Sequence, residues 1–178
     1  VQIAVLRTAQ LAALTTTQMG ALSTTDIGLL SEDQISALTA TQIAAFSTTQ
    51  LGALSVAAVG LLSASDITAL NTSQIAALTA AQIAAFNTTQ MAALTTTQVV
   101  ALTVTQLGAL TATQLTTLST AQLNALKTTQ IAALSATSIT GLSATQIATL
   151  TTSQIGVLTA AQIGALTTSQ IGALKTTQ

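Results

Sequence analysis

The chain contains no cysteine, histidine, proline, tryptophan or tyrosine. Without cysteine and histidine there is no disulfide, no thiol nucleophile and none of the common zinc ligand sets. Without histidine, the abundant serine and threonine hydroxyls lack the usual base that turns them into nucleophiles. The only aromatic residues are Phe46 and Phe86, so the rigid anchors that dominate binding hot spots are missing. Charge is equally scarce: three basic and four acidic side chains give a net charge of −1. Three cations cannot neutralise a run of phosphates, which argues against nucleic-acid binding. Long apolar runs are absent as well. Hydrophobic residues make up 49%, yet the longest run, residues 56–62, falls far short of the roughly 20 residues that span a bilayer. No membrane span is expected.

What the chain does have is an octapeptide repeated without interruption. Residues 30–38, from Leu30 through Ser31, Glu32, Asp33, Gln34 and Ile35 to Leu38, show its logic. Ser31 is placed to accept from the Gln34 backbone N–H while Gln34 reaches back to the Ser31 N–H, a capping box. Leu30 and Ile35 have the spacing of a hydrophobic staple around that cap. Counting the cap as slot 1, twenty-one complete repeats run over residues 7–174, with partial repeats at 1–6 and 175–178. Slot 8 is Leu except at Phe46 and Phe86, and slot 5 is always apolar. Slot 4 is Gln except at Asp26, Ala58, Asp66 and Ser138. Slots 6 and 7 are mostly Ala or Gly, and slots 1 to 3 mostly Thr, Ser or Ala. No linker or change of composition divides the series, so residues 1–178 read as a single array. It opens and stops within an octapeptide, and the expectation is a slice of a longer array.

One continuous helix does not fit this period. Eight residues overshoot two helical turns by about 80°, so the apolar stripe would wind around the axis. A β-solenoid is the alternative, since Thr, Val and Ile favour strands. Slots 5 and 8 have opposite parity, however, and their side chains would point to opposite faces of a strand. The reading is therefore all-α: an α-solenoid with one short capped helix per repeat and a sharp change of direction at slots 8 and 1. Helices this short are unstable alone, and burial of slots 5 and 8 between neighbours must hold them. Two repeats per turn would stack hairpins and three would make a triangular coil; the cations Arg7, Lys127 and Lys175, all in the same phase of three, favour the triangle.

No catalytic, cofactor-binding or metal-ligating residues are expected. All four anions, Asp26, Glu32, Asp33 and Asp66, fall in slots 2 to 4, where the dipole of a first helical turn favours negative charge. Arg7, Lys127 and Lys175 occupy cap slots, adjacent to the carbonyls that end the preceding helix. The Gln of slot 4 is accounted for by reciprocal capping. The surface feature with functional content is the regular hydroxyl array of slots 1 to 3, as in Thr15, Thr16 and Thr17 or Thr95, Thr96 and Thr97.

The pattern Leu-[Ser/Thr]-x-x-Gln-Ile-x-Ala, as in residues 158–165, resembles octapeptide arrays in very large exported bacterial proteins of adhesin-like or RTX-like description. The resemblance spans the whole chain and implies an extracellular or cell-surface stalk rather than an active site. The expected function is thus a non-catalytic stalk, spacer or filament segment, not an enzyme. Its expected partners are further copies, neighbouring domains of a larger chain, or glycans on Ser and Thr. The alternative is a binding module that docks ice or carbohydrate on a flat Thr/Ser face, which requires slots 2 and 3 to align in one plane.

Overall fold

A computed structural model describes residues 3–178. Among them there is one 3-10 turn, Ile3–Val5, and twenty-one α-helices of four to six residues, one per octapeptide, with no strand. The chain is all-helical and repetitive, as an α-solenoid requires, and the β-solenoid alternative is not realised. It falls into two compact units, Val1–Leu94 and Thr95–Gln178, each considered by itself below.

Each helix begins where the local chemistry places it. Slot 1 is the N-cap throughout, with extended backbone such as φ −72° and ψ 163° at Ser31. In the helix α4 (Glu32–Ser36) the Ser31 hydroxyl accepts from the Gln34 N–H at 3.2 Å, and the Gln34 Oε1 accepts from the Ser31 N–H at 2.8 Å. Arg7 and Lys127 keep half of this arrangement. Each donates its backbone N–H to the following Gln at 3.0 and 2.8 Å, but a cation has no lone pair with which to cap. Slot 8, where it follows a six-residue helix, is also extended, as at Leu78 (φ −61°, ψ 143°). Two extended residues thus turn the chain between helices. Among the described residues none has positive φ, glycine included, and the Asn71 and Asn87 caps are extended like the Ser and Thr caps, so these corners need no left-handed residue.

Within each unit a helix packs against the helix three places on. In the first unit α5 (Ala40–Ala44) meets α8 (Ala64–Ala69), and α8 meets α11 (Thr88–Ala93). In the second, α14 (Ala112–Thr116) meets α17 (Ala136–Ile139), and α17 meets α20 (Ala160–Ala165). Slot 5 fills the interior: Leu51, Ile75, Ile83, Leu115 and Ile139 are all at 0% exposure. Slot 8 lies beside it, with Leu54, Leu110 and Phe86 buried. Each such side chain contributes about 1.5–3 kcal/mol, which offsets the poor nucleation of so short a helix.

The coil is not a stack of hairpins. Each helix packs on the helix three places on, as a triangular coil requires, while the slot-4 amides reach 28 and 31 residues back, to the helix four places earlier, so a coil takes between three and four octapeptides. The Lys127 side chain is exposed and makes no hydrogen bond to the preceding helix among the described residues.

Candidate functional site

The most regular polar feature of each unit is a seam of slot-4 glutamines. Capping was the role expected of them, and the structure adds a second. In Gln82 the Oε1 accepts from the Thr79 N–H at 2.7 Å, while the Nε2 donates to the carbonyls of Leu51 at 3.0 Å and Leu54 at 2.7 Å. Those carbonyls end a helix of the coil below. Gln90 repeats the arrangement on Val59 and Leu62. Gln154 repeats it on Leu123 and Leu126, and Gln170 on Ile139 and Leu142. Gln74 and Gln130 shift by one carbonyl, to Ala44 with Phe46 and to Val100 with Leu102. One amide thus caps the start of its own helix and the end of another, and its donors and acceptor are all used. These helices need no left-handed C-cap because the orphan carbonyls of their last turn are met from the next coil.

The sequence carried a signal for this second role. A capping box accepts Glu as readily as Gln at its third helical position, yet slot 4 never holds Glu. Only the amide supplies N–H donors to the carbonyls; a carboxylate there would set charge against them.

The departures from Gln interrupt the seam. Ala58 leaves Ser55 to cap the helix start alone. The buried Asp66 keeps the box, its Oδ2 accepting from the Ser63 N–H and hydroxyl at 2.7 Å each. Ser138 turns inward on the Ser135 carbonyl at 3.1 Å. In that same repeat Gly141 stands where most repeats have Ala, and a Cβ there would lie 2.1 Å from the Ala112 carbonyl oxygen. The short Ser138 side chain and the bare Gly141 occur where α17 and α14 approach most closely.

The acidic residues do not converge. Glu32 and Asp33 are exposed side by side in the first turn of α4. Asp26 accepts from the Ser23 hydroxyl at 2.7 Å, and this bond is the main cause holding its carboxyl below the usual range. Among the described residues no three His, Cys, Asp or Glu side chains gather as a metal site would require. Among the described residues no helix is long and apolar enough to cross a membrane.

The hydroxyls of slots 1 to 3 are exposed on helix after helix. Slot 1 is occupied in capping, and some slot-3 hydroxyls bond back to it, as Thr97 does to Thr95 at 3.1 Å.

A family model described as the ALTTAQ repeat matches residues 43–80, 69–104 and 105–136, which together take in more than half of the chain. No curated protein and no solved structure matches.

Proposed function

The chain belongs to the ALTTAQ repeat family, and from that premise we propose that it is a non-catalytic structural array, an extracellular or cell-surface stalk, spacer or filament segment. The observation that carries this reading is the glutamine seam. The most regular polar side chain of the repeat is spent on joining one coil to the next, as Gln82 joins Leu51 and Leu54. Little chemistry is left over. The hydroxyls cap helices or meet water, and the carboxylates sit as dipole partners in first turns. A load-bearing tether needs this economy: identical units, each held by its neighbours, with no site that depends on one irreplaceable residue. The resemblance to arrays of very large exported bacterial proteins supports placement outside the cell.

Stretching single molecules tests the mechanical part. A coil of about 28 residues should release roughly 95 Å of contour length when it opens, and a trace of repeated steps of that size is expected. A featureless extension at negligible force would overturn the reading. Antibody labelling of intact cells of the source tests the placement; labelling that requires permeabilised cells would remove it.

A further inference from the structure

The glutamine seam of the first unit has a gap two octapeptides wide. Slot 4 is Ala58 in α7 (Val56–Gly60) and Asp66 in α8, which follow one another directly. On either side the clamp is complete. Gln50 donates to the Met19 and Leu22 carbonyls at 3.0 and 2.7 Å, and Gln74 to the Ala44 and Phe46 carbonyls at 2.9 and 2.7 Å. By the spacing of Gln50, position 58 faces the Ile27 and Leu30 carbonyls and position 66 those of Ile35 and Leu38. Alanine has no donor and a carboxylate only accepts. Among the described residues the Ile27 and Ile35 carbonyls keep the backbone bonds of their own corners, from the Leu30 and Leu38 N–H at 3.3 and 3.1 Å, and receive no amide from the coil above.

At rest the joint is held by its apolar side chains: Val59 and Ile67 are at 0% exposure, and Leu62 and Leu70 at 3%. What is missing is the directional bond between coils. α7 is also a poor helix in its own right. Two valines and a glycine fill three of its five positions, all weaker helix formers than alanine or glutamine, and Ser55 caps it without a box. The second unit has a gap of one octapeptide only, at Ser138, between the clamps of Gln130 and Gln146.

We propose that the double gap is a built-in opening joint: α7 and α8 part from the octapeptides at 23–38 while the glutamine-clamped coils of the first unit stay closed. A local opening costs least where the fewest contacts are broken. Each absent glutamine removes two or three bonds between coils, which shifts the local equilibrium toward the open form by about tenfold or more. Where the array carries tension, one coil yields early at this joint and the rest hold; that consequence rests on the structural-array reading above.

Hydrogen exchange of the 178-residue polypeptide, followed residue by residue, tests the joint. In the wild type the protected amides of α7 and α8 should exchange about tenfold faster than those of α10 (Ala80–Ala84) and α11, whose slot-4 residues are the clamped Gln82 and Gln90. Ala58→Gln with Asp66→Gln should remove the difference and leave the circular dichroism unchanged. Gln82→Ala with Gln90→Ala should create a second joint, with exchange in α10 and α11 rising to the level of α7 and α8; if that variant loses its helical structure, the inserted glutamines decide alone. Equal protection in the wild type, or a difference that the two inserted glutamines leave in place, would overturn the proposal. Stretching single molecules separates the joint from the array reading. Coil-sized steps together with uniform exchange would refute the joint and leave the array standing, whereas fast exchange in α7 and α8 together with a featureless extension would keep the joint and refute the array.

Discussion

The Nε2 of Gln90 donates to the Val59 carbonyl at 2.9 Å, thirty-one residues earlier in the chain, while its Oε1 accepts from the Asn87 N–H three residues away, also at 2.9 Å. One side chain therefore carries a local bond and a long-range bond of the same length. The local bond starts a helix, and the long-range bond stacks a coil.

Gln90→Ala should separate the two roles when compared with Gln18→Ala. Gln90 is buried and its loss strands the Leu62 carbonyl, which it meets at 2.7 Å; the cost should be about 1–3 kcal/mol beyond the loss of the box. Gln18 is exposed and has only the box to lose. Urea unfolding of the two variants measures the difference, and equal losses would contradict the second role. Gln90→Glu keeps the acceptor and removes the donors. Burial beside carbonyls raises that carboxyl above its unfolded value, so the variant should regain stability as pH falls through the raised value and lose it as pH rises.

Ala58→Gln should stabilise the first unit. The position is buried in slot 4, with only the Ser55 cap at 3.0 Å. A glutamine there would reach the Ile27 and Leu30 carbonyls by the spacing seen at Gln82, and complete the box with the Ser55 N–H. Two or three new hydrogen bonds at about 0.5–1.5 kcal/mol each, less the entropy of ordering the side chain, should raise the melting temperature. An unchanged or lower value would show that the seam contributes no net stability.

Two glycines should respond to alanine with opposite signs. At Gly141 the added methyl would lie 2.1 Å from the Ala112 oxygen, and α17 must move away from α14; a loss of about 1–3 kcal/mol is expected for such overpacking. At Gly164, inside α20, nothing lies within 4 Å of the new atom. There the gain in helix propensity should stabilise by about 0.5–1 kcal/mol. Thermal melts of the pair check both signs together.

Leu110→Ala and Thr111→Ala test the corner between two helices. Leu110 is buried in slot 8, and truncation should cost about 2–5 kcal/mol. Thr111 is exposed, but its Oγ1 accepts from the Gln114 N–H at 3.2 Å, and losing that cap should cost about 0.5–2 kcal/mol. Denaturant midpoints that fail to separate the two would contradict their assignment to core and cap.

Everything that closes within eight residues was legible in the sequence alone. Ser31, Gln34, Leu30 and Ile35 announce a capped helix with its staple, and the alternation of slots 5 and 8 excludes both a long helix and a strand. The exposed, adjacent acids Glu32 and Asp33 are dipole partners by position. What the sequence by itself left undecided was which repeat lies on which. When every octapeptide offers the same leucine, isoleucine and glutamine, each is an equally good neighbour for every other, and no local preference distinguishes a separation of 16, 24 or 28 residues. At corners such as Leu78 and Thr79 two extended residues turn the chain from one helix to the next, and the stacked coil takes between three and four repeats. Only then do the Leu51 and Leu54 carbonyls come under Gln82, and only then does the amide of slot 4 become the bond that holds one coil to the next.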